Sequence, residues 1–300
     1  MTTYDVIVIG GSFAGLAAAT QLGRARRSVL VIDAGEPRNR FAEHSHGFLS
    51  RDGATPSEIL AIAQEQLSKY RTVKLLQARA SSIRVGETFE VEAGATYSGR
   101  RVILAHGMKD ILPEIPGLTE LWGTSVFNCP YCHGFELGDR PLAVLGNGDA
   151  AIHQAMMLPD WSNDVILFTN GPANFDEATI ARFKRRGLVI EETEIEKLIA
   201  KDGVLEAIAL RDGRVVERAG LLIAPRMEPS APFANDLGLE METTPMGSYI
   251  KTDGRKETSI KYLFAAGDLA RMPHSVSFAV ADGVMAGVGA HQSLLAEDWM

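Results

Sequence analysis

"YDVIVIGGSFAGLAAATQLGRARRSVLVIDAGEP", Tyr4 to Pro37, is the stretch whose reading decides the fold. A continuous apolar run enters a glycine turn, passes through a segment dense in alanine, and resumes as a second apolar run ending at Asp33. Apolar runs of this length suit strands buried on both faces, and the small-residue segment suits the helix between them, so the stretch reads as a βαβ unit. Its turn, Gly10-Gly11-Ser12-Phe13-Ala14-Gly15, follows the G-x-G-x-x-G pattern with the small Ser12 in place of the second glycine. Asp33 lies 18 residues after Gly15, where a carboxylate would accept hydrogen bonds from an adenosine ribose. The amides and dipole at the start of the helix would hold a pyrophosphate.

A second copy follows in "PLAVLGNGDAAIHQAMML" and "DVILFTNG", with the turn Gly146-Asn147-Gly148-Asp149-Ala150-Ala151. After each copy come short alternating strands and then a buried strand: "ETFEVEAGATYSG" with "RVILAHG", and "VLEAIALRDGRVVERAG" with "LLIAP". "GMKDILPEIPGL", Gly107 to Leu118, carries two prolines and reads as the linker between halves. "IKYLFAAGDLA" and the small-residue helix "SVSFAVADGVMAGVGAHQSLL" do not continue the second half and read as a return to the first. The expectation is an α/β fold of two Rossmann-like (three-layer ββα) dinucleotide-binding domains, the second inserted in the first. Residues 1-112 and 244-300 would form the discontinuous first domain, and 117-240 the second.

Three hundred residues with 46% hydrophobic composition suffice for two packed cores. Thirty basic against 38 acidic residues give a net charge of -8, and no basic stripe tracks a phosphate backbone, which argues against nucleic acid. The start "MTTYDVIVIGG" has neither the charged region nor the cleavage site of a secretory signal, so a cytoplasmic location is expected. Val276 to Ala290, the most apolar late segment, is interrupted by Asp282 and falls short of the ~20 residues a membrane span needs.

The only two cysteines sit three residues apart in "NCPYCHGFELG", Asn128 to Gly138. In a reducing compartment such a pair points to catalysis or metal rather than to a structural staple. Zinc would need four ligands, and His133, His44 or His46 would have to complete the set without a second Cys-x-x-Cys, so no metal is assigned. A glutaredoxin would carry the motif near its start, whereas here it follows a whole nucleotide-binding unit.

Taken in order, the first glycine turn with its strand-end acid, "LAHG" before "LPEIPG", the Cys-x-x-Cys, the second glycine turn and the late "LFAAGD" resemble the low-molecular-weight thioredoxin reductase family of flavoproteins over essentially the whole chain. The resemblance implies FAD in the first domain. Gly10, Ser12 and Gly15 would lie at the pyrophosphate and Asp33 at the ribose, with Gly11, Ala14, Ala34 and Ala105 among the further contacts. Gly267 and Asp268 would lie near the ribityl-phosphate region, and Ser275 and Val276 would aim helix amides at the flavin ring, favouring its reduced anionic form. Arg38, Arg40 and His46, in "GEPRNRFAEHSHGFLSRDG", are candidates from a loop that contacts flavin in the family.

The same resemblance makes Cys132 the flavin-facing thiol and Cys129 the one that exchanges with substrate. Where the family commonly has aspartate this chain has His133, with Glu136 three residues on; a histidine takes and returns a proton near neutral pH, so His133 is the candidate general acid/base. NADPH-dependent members place a basic cluster at the end of the second strand of the inserted domain, but here it reads Phe168-Thr169-Asn170-Gly171. Charge-assisted contacts contribute about 1.5 to 3 kcal/mol each, so losing two weakens NADPH by ~100-fold or more. The turn at Gly146, Gly148 and Ala151 nevertheless keeps the form of a nicotinamide site.

A branch of the family resembles these departures: the FAD-dependent dithiol oxidases that close disulfides in small natural products such as gliotoxin and holomycin, similar in "CPYCHG", "HGFLSRDG" and the non-basic "LFTNG". In that branch electrons run from a small-molecule dithiol through the cysteine pair and FAD to dioxygen. The alternatives are an NAD(P)H-dependent reductase serving a disulfide or a thioredoxin-like protein, and a flavoprotein redox sensor without turnover. The family is commonly homodimeric.

Overall fold

The computed structural model describes residues 3–244 and 247–300; Met1, Thr2, Pro245 and Met246 lie outside the described residues. The chain begins β1 (Thr3–Ile9), α1 (Phe13–Arg24), β2 (Val29–Asp33), α2 (Pro56–Ser68), β3 (Val73–Gln77), β4 (Ser82–Val85), β5 (Phe89–Glu92), β6 (Thr96–Leu104) and β7 (Met108–Ile111). It continues β8 (Val126–Phe127), α3 (Pro130–His133), β9 (Leu142–Leu145), α4 (Asp149–Met157), β10 (Val165–Phe168), α5 (Glu177–Arg185) and β11 (Val189–Glu191). Then come β12 (Ile195–Lys201), β13 (Val204–Leu210), β14 (Val215–Glu217), β15 (Gly220–Ile223) and β16 (Arg226–Pro229). The last elements are α6 (Phe233–Asp236), β17 (Met241–Thr244), β18 (Gly247–Ile250), β19 (Leu263–Ala265) and α7 (Val276–Asp298).

Two compact units result, Met1–Arg40 with Pro56–Lys109 and Met227–Met300, and Phe41–Thr55 with Asp110–Arg226. In the first, the sheet runs β3-β2-β1-β6-β5-β4, with β19 also on β6. β1 is parallel to β2 and β6, whereas β4, β5 and β6 form an antiparallel meander. Every side chain from Val6 to Ile9 is buried because both sheet faces are covered, and alternation divides them. Ile7 and Ile9 join a core with Phe89, Val91 and Phe233, while Val6 and Val8 join one with Leu16, Leu22 and Ala290. This is the expected three-layer arrangement, sheet between meander and helices.

Small residues let α1 and α7 approach closely: a Cβ on Gly283 would collide with the Ala14 carbonyl, and one on Gly287 would lie 2.7 Å from the Ala18 carbonyl oxygen. Arg101, although 1% exposed, is satisfied; it donates to Ser293 and Glu297 of α7 and stacks 3.5 Å from the centre of the Tyr262 ring.

The second unit repeats the plan with a parallel sheet β11-β10-β9-β15-β8 and an antiparallel meander β12-β13-β14. Leu142 and Val144 face one core and Ala143 and Leu145 the other. The boundaries differ from those drawn on the sequence. The return to the first unit comes at Met227 rather than 244, because Phe233, Ala234 and Leu239 pack into that unit's core. Phe41–Thr55 groups with the second unit; a Cβ on Gly123 would lie 2.6 Å from the Phe41 carbonyl oxygen.

Candidate active site

In the first unit the glycine turn is built for close backbone approach. Gly10 has φ 104°, and a side chain there would run into the Ala105 carbonyl; a Cβ on Gly15 would strike the Gly10 carbonyl. Ser12, extended at φ -94°, is the N-cap of α1, and among the described residues its side chain makes no capping bond and the first turn holds no acid. The helix therefore presents its amides and positive dipole end beside the turn. Asp33 pins the turn, its Oδ1 accepting from the Gly11 amide at 2.9 Å. A cradle that a Cβ would fill, at an uncompensated helix start, fits the diphosphate of FAD.

Around it, Gly267 (φ 74°) passes 3.0 Å from the Ala14 Cβ, measured from an added Cβ. Asp268 Oδ2 accepts from Arg38 Nη1 at 2.8 Å, and the same nitrogen lies 2.7 Å from His274 Nδ1. With His274 Nε2 3.1 Å from the Arg271 carbonyl, the ring is set as the neutral tautomer that accepts at Nδ1 and donates at Nε2. Ser275 is the N-cap of α7, its hydroxyl accepting from the Phe278 amide at 3.1 Å. Arg40 donates to the Pro37 carbonyl of its own loop at 3.0 Å. Sequence reading missed His274 and also His106, whose Nδ1 meets the Ser230 hydroxyl at 3.2 Å and whose pKa burial lowers to about 4.

In the second unit Cys129 is the extended N-cap of α3, with Pro130 at the first helical position, where its fixed φ favours the turn. The Cys132 amide donates to the Cys129 carbonyl at 3.2 Å and the Gly134 amide to the Pro130 carbonyl at 2.7 Å. Gly134 has no room for a side chain: a Cβ would lie 2.9 Å from the Trp161 ring. Both cysteines are free thiols and half-buried. The Cys132 thiol, followed by the Cys132 and Tyr131 amides, stabilises a thiolate on Cys129 and lowers its pKa to about 7 against the cost of burial. Cys132 moves the other way, held as a thiol by its bond to Cys129, by burial, and by the charges of Cys129 and Glu136. One thiol of the pair is thus primed to react and the other keeps its proton.

The His133 ring stacks on Phe127 at 5.3 Å, and its buried Nδ1 has no hydrogen-bond partner among the described residues. Burial lowers its pKa, the Glu136 charge opposes this and His46 adds to it, so a neutral base is favoured. His46 does not lie in the first unit. Its Nε2 is 3.4 Å from Glu136 Oε1 and its Nδ1 3.6 Å from Asp52 Oδ1. A cavity of about 270 Å³ lies here, walled by Glu43, His44, His46, His133, Glu136 and Arg140 among others. Tyr131 and Phe135, neighbours of the thiols in sequence, are 74% and 85% exposed. Among the described residues no cluster of three or more His, Cys, Asp or Glu is arranged to hold a metal, and no helix is long and apolar enough to cross a membrane.

The second glycine turn is differently furnished. A Cβ on Gly146 would lie 2.8 Å from that of Ala151, so the backbone form is kept, and Gly148 faces open space. The polar groups are spent on the protein itself. Asn147 donates to the Pro172 carbonyl at 2.7 Å and accepts from the Asn174 amide at 2.8 Å, strapping the loop after β10 across the turn. Thr169 donates to the Gly171 carbonyl at 2.6 Å, and Asn170 accepts from the Ile195 amide at 2.7 Å. Asp149 puts an acid in the first turn of α4, where a pyrophosphate would need the dipole to itself. Arg182, Lys184 and Arg185 complement the C-terminal end of α5 instead. These residues do not fit a nicotinamide dinucleotide.

Two dinucleotide-type units, one with an open diphosphate cradle and one with a primed Cys-x-x-Cys, define a flavin oxidoreductase that acts on sulfur groups. The chain belongs to the pyridine nucleotide-disulphide oxidoreductase family, whose model matches residues 4–283, and within it is thioredoxin reductase-like. It is 32% identical over 317 residues to thioredoxin reductase sirT of Leptosphaeria maculans, covering 98% of this chain and 95% of that protein. The crystal structure of an oxidoreductase from Agrobacterium tumefaciens shares 45% identity over 98% of this chain and 99% of its own, with a TM-score of 0.92. That of HlmI shares 35% over 99% and 94%, also with a TM-score of 0.92.

Proposed function

We propose that this protein is an FAD-dependent dithiol oxidase that forms disulfides in small molecules. The observation that carries the reading is the strapped second turn: Asn147 bonded to Pro172 and Asn174, with Asp149 at the helix start and no basic residue from Phe168 to Gly171. An enzyme whose second turn has its polar groups committed to its own loops draws its electrons from its thiols. The similarity to HlmI, and the resemblance of "CPYCHG" and "HGFLSRDG" to the dithiol oxidase branch, support the same direction.

In the proposed reaction a substrate thiolate attacks Sγ of Cys129 in the oxidised pair, breaking the Cys129–Cys132 bond and leaving the electron pair on Cys132. The second substrate thiolate attacks the substrate sulfur of the mixed disulfide, closing the product and releasing Cys129. Two electrons pass from substrate to protein, and His133 takes up a proton from a reacting thiol. Gly10 to Gly15, Asp33, Asp268, Ser275 and Val276 would hold FAD, which when bound would supply the two-electron acceptor between the cysteine pair and dioxygen. An NAD(P)H-driven reductase is the second reading, favoured by the intact Gly146 and Gly148 backbone and by the names of relatives such as thioredoxin reductase sirT. A second copy of the chain is the proposed cover for α7. That helix exposes Phe278, Ala281, Met285, Val288, Gln292 and Leu295 at heptad spacing, a pattern suited to pairing with another helix.

The test is turnover in air with dithiothreitol and no nicotinamide. Oxygen uptake matched by peroxide and by disulfide product supports the oxidase, and a strict requirement for NADPH or NADH refutes it.

A further inference from the structure

We propose that Glu136 and His46 form, with His133, a proton relay that connects the Cys129–Cys132 pair to bulk water through Asp52. The inference rests on the thiol–disulfide chemistry proposed above and assigns positioning roles to residues outside the Cys-x-x-Cys-His segment.

His133, Glu136 and His46 share the wall of one cavity. His133 Nδ1 is buried without a partner among the described residues. Glu136, one turn further on, acts electrostatically on both Cys132 and His133. Its Oε1 is 3.4 Å from His46 Nε2, and the opposite nitrogen of that ring is 3.6 Å from Asp52 Oδ1. The Glu136 side chain is 46% exposed, that of His46 22% and that of Asp52 71%, so the line meets water at Glu136 and again at Asp52. An imidazole with a carboxylate at each nitrogen accepts a proton on one side and releases it on the other. Asp52 is itself fixed, accepting from the Gly47 amide at 2.7 Å.

The other charged and titratable groups facing this cavity are His44, with its ring centre 6.2 Å from that of His46, Glu43 and Arg140. His44 is turned to its own loop, its Nδ1 2.9 Å from the Gly53 carbonyl.

A relay has a task here. Oxidation of one substrate dithiol by the enzyme disulfide yields the product disulfide, the Cys132 thiol, the Cys129 thiolate and one proton. Cys132 keeps one substrate proton, while the other has to leave whenever Cys129, with its pKa lowered to about 7, rests as the thiolate. Return of the pair to the disulfide then releases the Cys132 proton. Glu136 and His46, on the same cavity wall as His133, lead both outward from its buried Nδ1.

The experiment isolates the first half-reaction in the holoenzyme. Oxidised protein is mixed with dithiothreitol under argon, acid-quenched, alkylated, and the free Cys129 and Cys132 are counted by peptide mass. In His46→Gln and Glu136→Gln the exchange should slow about 10-fold near pH 6.5, with the deficit shrinking toward pH 9 as hydroxide and buffer take the proton directly. Added imidazole should restore His46→Gln, while flavin content and melting temperature stay those of wild type. Unchanged rates, or a deficit that is the same at every pH and indifferent to imidazole, would overturn the relay alone. Wild-type protein that fails to exchange with dithiothreitol would bring down the proposed function and the relay together.

Discussion

Cys129 should alkylate as a low-pKa thiol and Cys132 should not, and the size of the difference follows from the site. With a pKa of about 7, Cys129 is about half ionised at pH 7, against roughly 3% for an ordinary thiol near 8.5. A thiolate loses nucleophilicity as its pKa falls, and a Brønsted coefficient of about 0.45 over ~1.5 pH units lowers the intrinsic rate ~5-fold. The net expectation is alkylation about 3-fold faster than free cysteine at pH 7 and about 4-fold slower at pH 9. That crossing of the two curves distinguishes a low pKa from mere exposure. Cys132→Ala removes the largest stabilising contact but leaves the Tyr131 and residue-132 amides, so the Cys129 midpoint should move upward only part of the way. The assay is iodoacetamide labelling of anaerobically reduced holoenzyme from pH 5 to 10, with each cysteine followed by peptide mass. A Cys129 midpoint at or above that of free cysteine, or Cys132 labelling first, would refute the reasoning.

Other substitutions test the cradle and the exposed helix. Gly283→Ala drives a methyl group into the Ala14 carbonyl; overpacking of this kind costs about 1 to 3 kcal/mol or more, so melting temperature and bound flavin per chain should both fall. Met285→Glu, at the middle of the exposed heptad row of α7, should convert a dimer to a monomer in analytical ultracentrifugation while leaving the melting of the monomer nearly unchanged; an unaltered sedimentation coefficient would contradict it.

Local pattern carried the architecture. Glycine spacing, the acid at the end of β2 and the continuous apolar run through Val6 to Ile9 depend on neighbours in the chain, so two nucleotide-type units and the insertion were legible in the residues themselves. The unit boundary at Met227 was not, because Phe233 and Leu239 are apolar in either unit and only packing assigns them. The Asn147 strap was equally hidden. An asparagine between two glycines is an ordinary turn residue until Pro172 and Asn174 are brought against it by a separate loop. His46, expected at the flavin, groups instead with Glu136; a clue lay in the density of titratable side chains from Glu43 to Asp52, unusual for a loop that only contacts a cofactor. His274 and His106 acquired their surroundings from residues far away in sequence, for which no local spacing exists.

Rapid mixing of oxidised holoenzyme with either dithiothreitol or NADPH under argon, followed at the flavin absorption band, bears most directly on where the electrons come from. The dithiol should bleach the band in a phase that Cys132→Ser abolishes, and NADPH and NADH should leave it unchanged. Fast bleaching by NADPH, or bleaching by the dithiol that survives Cys132→Ser, would contradict electron entry through the cysteine pair.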